Sequence, residues 1–154
     1  MNNETAILVL NSLIITHHER MERYRFASKK IPSYTLKKAF DKFQQTSLKF
    51  KTELIKEVLE IGGKPLDYNK SRSSFYRFWY LIRTIFTYRS YNALISSCAK
   101  HDLTFMKKYY DTITYHSDSF TDDQKIMLSE QYFLINTEQH QINSFKKMQL
   151  KISF

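Results

Sequence analysis

Apolar residues recur at intervals of three and four along four long stretches of the chain, the spacing that gathers side chains onto one face of a helix. The first seam reads Ile7, Leu10, Ile14, His17, Met21, Tyr24, and the second Leu36, Phe40, Phe43, Ser47, Phe50, Leu54, Ile61. A third runs through Tyr91, Leu94, Cys98, Phe105, Tyr109 and Ile113, with Asp102 inside its arc and His101 at its edge. The fourth is Leu128, Gln131, Ile135, Glu138, Ile142, Phe145. These patterns predict helices over about 4–30, 34–61, 90–116 and 121–150. A shorter amphipathic helix is predicted over about 73–87, with Phe75, Phe78, Trp79, Ile82 and Phe86 on its apolar face. The punctuation agrees. Asn3 is an N-cap candidate, Pro32 and Ser33 separate the first two helices, Gly62-Gly63 ends the second, and Thr121 with Gln124 forms a capping-box pattern. With only two glycines and two prolines in 154 residues, the chain has too few turns for a strand-rich fold. The expectation is one all-α domain, a four-helix bundle whose long second-to-third connection carries the extra helix.

Each seam is interrupted near mid-length by polar residues. His17 and Ser47 both lie about fifteen residues from the Pro32 turn, so antiparallel helices bring them to one height. If the crossover sets the third helix parallel to the second, Asp102, Gln131 and Glu138 join them. Charged groups are rarely buried without partners, and two readings of the layer follow. Bundles of this kind can hold two iron or manganese ions on inward Glu, Asp and His side chains. Here His17, Asp102 and Glu138 are candidate ligands for a single Fe or Mn ion, since a dinuclear centre would lack ligands. The other reading is a hydrogen-bonded network in which Asp102 or Glu138 pairs with protonated His17, completed by Ser47 and Gln131. The network, with no cofactor, is preferred, because buried polar layers can fix helix register unaided.

Other chemistry is sparser. His17, His18, Glu19 and Glu22 cannot converge, because Glu19 points nearly opposite His17 on a helix. His140 projects off its seam, and the lone Cys98 sits in an apolar stripe as an unactivated thiol. One cysteine excludes an internal disulfide or a cysteine-based zinc site and fits the cytoplasm. The stretch from Ile7 to Ile15 lacks the basic leader and cleavage site of a signal peptide, and no apolar run approaches the roughly 20 residues of a bilayer span. No glycine-rich phosphate loop occurs. The net charge of +9 allows attraction to an acidic protein partner as well as to nucleic acid or an anionic membrane, although the basic residues are scattered rather than blocked. Tyr76, Arg77, Tyr80 and Arg83, on the polar side of the 73–87 helix, form a candidate interaction surface for either.

With those residues in view, the chain resembles a bacterial domain-of-unknown-function family described as a ferritin-like, conserved four-helix bundle. The resemblance rests on Leu10-Asn11-Ser12-Leu13-Ile14 with Glu19-Arg20-Met21-Glu22-Arg23-Tyr24, and on Phe50, Glu53-Leu54 and Ile61-Gly62-Gly63-Lys64-Pro65. Trp79, Cys98, Gln131, Ile135 and Ile142 extend it. The family pattern often has Glu at Ile15, Asn at His17 and His18, acidic residues at Ala99-Lys100-His101 and His at Gln139, so this chain carries fewer acidic groups. The family's activity is unknown, so the resemblance implies the ferritin-like fold, and the expectation for function is a bundle with a degenerate or absent metal site and no enzymatic activity of its own. Its alternatives are a metal-binding stress protein with oxygen or peroxide chemistry and a basic interaction module. The aromatic excess also makes self-association through the crossover helix or a bundle face an expectation.

Overall fold

A computed structural model of the chain describes residues 3–67 and 91–152, and among these the regular elements are helical. Helix α1 spans Asn3–Lys30, α2 Tyr34–Glu60, α3 Tyr91–Tyr115 and α4 Asp122–Ile152, with a 3-10 turn at Ser117–Ser119 between the last two. The helix expected over 73–87, with Tyr76, Arg77, Tyr80 and Arg83, lies outside the described residues.

The boundaries follow local chemistry. Ser33 has extended backbone and its hydroxyl accepts from the Leu36 amide at 3.3 Å, capping α2 directly after Pro32. At the other end of α2 the amides of Gly62 and Gly63 donate back to Leu59 and Val58, and Gly62 takes φ +81°, the left-handed geometry glycine reaches without strain. The capping box opening α4 is complete. The Thr121 amide donates to Gln124 Oε1 at 3.0 Å, and the Gln124 amide donates to Thr121 Oγ1 at 3.2 Å.

The core falls into two apolar clusters, and their membership fixes the topology. One joins Tyr24, Ala27 and Ile31 of the α1 end to Leu36, Ala39 and Phe40, to Leu94, Ile95, Cys98 and Ala99, and to Ile142. The other joins Ala6, Leu10 and Leu13 to Leu54 and Val58, to Phe105 and Tyr109, and to Leu128 and Ile135. Hence α1 and α2 are antiparallel, α3 runs parallel to α2, and α4 returns antiparallel to α3. The end of α2 and the start of α3 therefore stand at opposite ends of the bundle, as the sequence expectation of a long crossover requires. Asn11 fixes the first residues of that connection to α1: its amide donates to the Lys64 carbonyl at 3.0 Å, and its oxygen accepts from the Leu66 amide at 2.8 Å.

The seams mostly face inward as expected, with two corrections. On α1 the fully buried position is Arg20 and not its neighbour Met21, which is half-buried. On α3 Tyr91 is exposed, because it is the first helical residue and lies beyond the apolar cluster that begins at Leu94.

Candidate functional site

Between the two apolar clusters lies a buried polar layer, and its centre is Arg20. The guanidinium is 0% exposed and reaches all three other helices. Nε and Nη2 grip the Asp102 carboxylate of α3 at 2.9 and 3.1 Å, a two-point fork. Nη1 donates to Glu138 Oε1 of α4 at 3.0 Å, to Ser47 Oγ of α2 at 3.1 Å and to the Phe43 carbonyl at 3.3 Å. The rings of Tyr24 and Phe43 lie 5.0 and 5.4 Å from the guanidinium carbon. Both carboxylates receive further donors: Tyr24 donates to Asp102 Oδ2 at 2.5 Å, and Thr46 donates to Glu138 Oε2 at 2.6 Å. A second buried arginine, Arg23, approaches Asp102 Oδ1 at 3.8 Å, so two cations balance two anions.

His17 stands beside this cluster but takes no carboxylate. Its Nδ1 is 3.2 Å from Ser47 Oγ and its Nε2 is 2.5 Å from the Tyr109 hydroxyl, with the Phe105 ring edge-on at 4.7 Å. The partners determine the tautomer. Tyr109 gives its one hydroxyl proton to Gln131 Oε1 at 2.7 Å, so its oxygen must accept from His17 Nε2–H. Nδ1 is then the acceptor for Ser47, whose oxygen accepts from Arg20. Gln131 in turn donates to Glu53 Oε2 at 2.9 Å. A chain of donors thus runs one way, from Arg20 through Ser47, His17, Tyr109 and Gln131 to Glu53 near the surface.

The electrostatics agree. Burial, then the Arg20 and Lys108 charges, hold His17 well below the ordinary histidine pKa, so it is neutral. Burial works against the charged form of Arg20, but Asp102 first, then Tyr24 and Glu138, outweigh it and raise its pKa. Burial raises Glu138, against the lowering influence of Arg20 and Thr46. Burial also pushes the Cys98 thiol up to about 12, which leaves it an inert core residue.

The expected network is therefore corrected in its central pairing. His17, Ser47, Asp102, Gln131 and Glu138 do meet at one height, yet the cation that meets Asp102 and Glu138 is Arg20 and not protonated His17. A guanidinium offers five donors and holds its charge when buried, whereas an imidazolium at 0% exposure would lose its proton. The alternative ligand set of His17, Asp102 and Glu138 is not assembled either. Arg20 occupies the space between the two carboxylates, and among the described residues no three His, Cys, Asp or Glu side chains are grouped to hold a metal ion. Sequence reasoning also missed the hydroxyls of Tyr24 and Tyr109, Thr46 and Glu53. His140 is exposed as expected, while His18, Glu19 and Glu22 are half-buried, with Lys51 Nζ 2.9 Å from His18 Nδ1.

Residues 5–115 match a family described as Domain of unknown function (DUF2383), a span that includes Arg20, Ser47 and Asp102. The chain belongs to that family. Within it the matched region runs through α1, α2 and α3, while Glu138 and Gln131 of α4 lie beyond the match. No curated protein matches the chain. No helix among the described residues is long and apolar enough to cross a membrane.

Proposed function

We propose that this chain is a non-enzymatic, ferritin-like bundle in which an arginine fills the mid-height position that a metal would take, so that its role is binding or scaffolding. The observation that carries this reading is Arg20, fully buried and bonded at once to Asp102 and Glu138. A guanidinium brings its own charge and donors, so the two carboxylates are satisfied without an ion. The layer also offers no reacting position. Its members Arg20, His17, Asp102, Gln131 and Glu138 are at most 1% exposed, which leaves no path for a substrate to the titratable groups.

Elemental analysis after anaerobic reconstitution with iron, manganese and zinc tests the proposal, comparing the native chain with Glu138→Gln. The expected result is substoichiometric metal, equal in the two proteins. Stoichiometric iron or manganese lost in Glu138→Gln would overturn it in favour of a metal-binding protein with oxygen or peroxide chemistry.

A further inference from the structure

The surface between α1 and α3 carries an open groove of about 460 Å³, within the size range of small-molecule sites. Lys108, half-buried, lines it. Its Nζ donates to the Ser12 carbonyl at 3.1 Å and to Thr16 Oγ1 at 2.8 Å. Both partners are neutral, and among the described residues no carboxylate forms an ion pair with this ammonium. Two of its three N–H donors are thereby used, leaving one donor and a full charge.

The groove's other groups define what that charge can take. Lys107, also in the lining, is held by Asp111 at 2.8 Å, so that pair cancels and Lys108 alone supplies the net charge. Leu8 and Val9 form an apolar wall, and Leu8 is 71% exposed and so open to a ligand. A single net positive charge matches a monoanion better than a dianionic phosphate or a nucleotide. Burial lowers the pKa of Lys108, offset only in part by Glu19, as expected for a desolvated cation that lacks a close counter-ion.

We propose that this groove binds a monocarboxylate with an apolar body, of the medium-chain fatty-acid class, its head group on Lys108 Nζ and its chain against Leu8 and Val9. The inference is independent of Arg20 and stands whether or not the bundle holds metal.

Titration calorimetry with decanoate below its micelle concentration tests it, with decanol and octyl phosphate as isosteric comparisons. Saturable one-to-one binding of decanoate is expected, tighter than either comparison. Lys108→Met, which keeps an apolar stem, should weaken decanoate about tenfold or more, the scale of one charge-assisted hydrogen bond, and leave decanol unchanged. Lys49→Met on α2 should bind as the native chain does. Leu8→Asp, at an exposed position that leaves the fold intact, should abolish decanoate binding and guards against a Lys108→Met chain that does not fold. The proposal is overturned by absence of saturable binding, by decanol or octyl phosphate binding as tightly as decanoate, or by Leu8→Asp or folded Lys108→Met retaining native affinity.

Discussion

Arg20 is the residue on which the interior turns. Asp102 and Glu138 each have a hydroxyl donor of their own, from Tyr24 and Thr46, but Arg20 is the cation that bonds to them both. Arg20→Ala leaves two buried carboxylates without that cation and should cost about 3–5 kcal/mol in urea denaturation. Arg20→Lys keeps a charge but cannot reproduce the two-point grip on Asp102, so it should restore only part of the loss. Replacing Arg20, Arg23, Asp102 and Glu138 together by Met and Leu should be far less harmful than Arg20→Ala, since both buried cations leave with both anions. In the sequence Arg20 reads as a surface residue of a basic chain. The signal that could have found it is its place three residues after His17 and four before Tyr24, which puts it on the same face. Choosing Met21, equally well spaced and apolar, shifted the phase of that face by one residue. His17 and Ser47 were legible because a polar residue breaks each apolar seam, while the hydroxyls of Tyr24 and Tyr109 were hidden in side chains that read as apolar. Nearby, burial and then Arg23 lower the pKa of His101 to about 4. The folded state disfavours that proton, so the contribution of His101 to stability is complete above pH 6.5 and is lost as pH falls towards 4. The stability of the native chain relative to His101→Gln should decline across that window in paired urea titrations.

At the level of the helices, boundaries were legible where backbone chemistry leaves a mark in the residue type. Ser33 after Pro32, the Thr121–Gln124 box and the Gly62-Gly63 stop each satisfy an orphan group at a helix end, and each lies within a residue or two of the expected boundary. Less legible was the way the connection after α2 is anchored, because Asn11 looks like an interruption of an apolar run until its two bonds to Lys64 and Leu66 are seen. Gly63 belongs to the same anchor. A Cβ there would lie 2.7 Å from Ile7 Cγ1 and 2.9 Å from Val58 Cγ1, so α1, the end of α2 and the connection meet too closely for any side chain. Gly63→Ala should therefore destabilise the chain by about 1–3 kcal/mol, and Ile7→Ala in the same chain should recover part of that loss in thermal unfolding. A backbone role alone would show no such recovery.

Across the molecule, α1 with α2 and α3 with α4 form two hairpins, and most bonds of the polar layer run between them. Arg20 and Tyr24 reach Asp102, Thr46 reaches Glu138, His17 reaches Tyr109, and Glu53 receives Gln131. Such a layer contributes less to net stability than an apolar one of equal volume, but it permits one alignment of the hairpins and penalises others. The parallel course of α2 and α3 was legible only as a conditional, since it depends on the connection crossing the bundle, and it is the sharing of Leu94 and Cys98 with Tyr24 and Phe40 that decides it. Partners within a hairpin are near in sequence, whereas Arg20 is 82 residues from Asp102 and 118 from Glu138. Closing loops of that length is slow compared with forming local helix pairs, so the hairpins are expected to assemble first and the arginine to find its carboxylates late. On that order of events the layer would act as a proofreading step in folding. Hairpins docked one helical turn out of register would bury their charges unmatched, and such forms would separate more readily than the one that sets Arg20 opposite both acids.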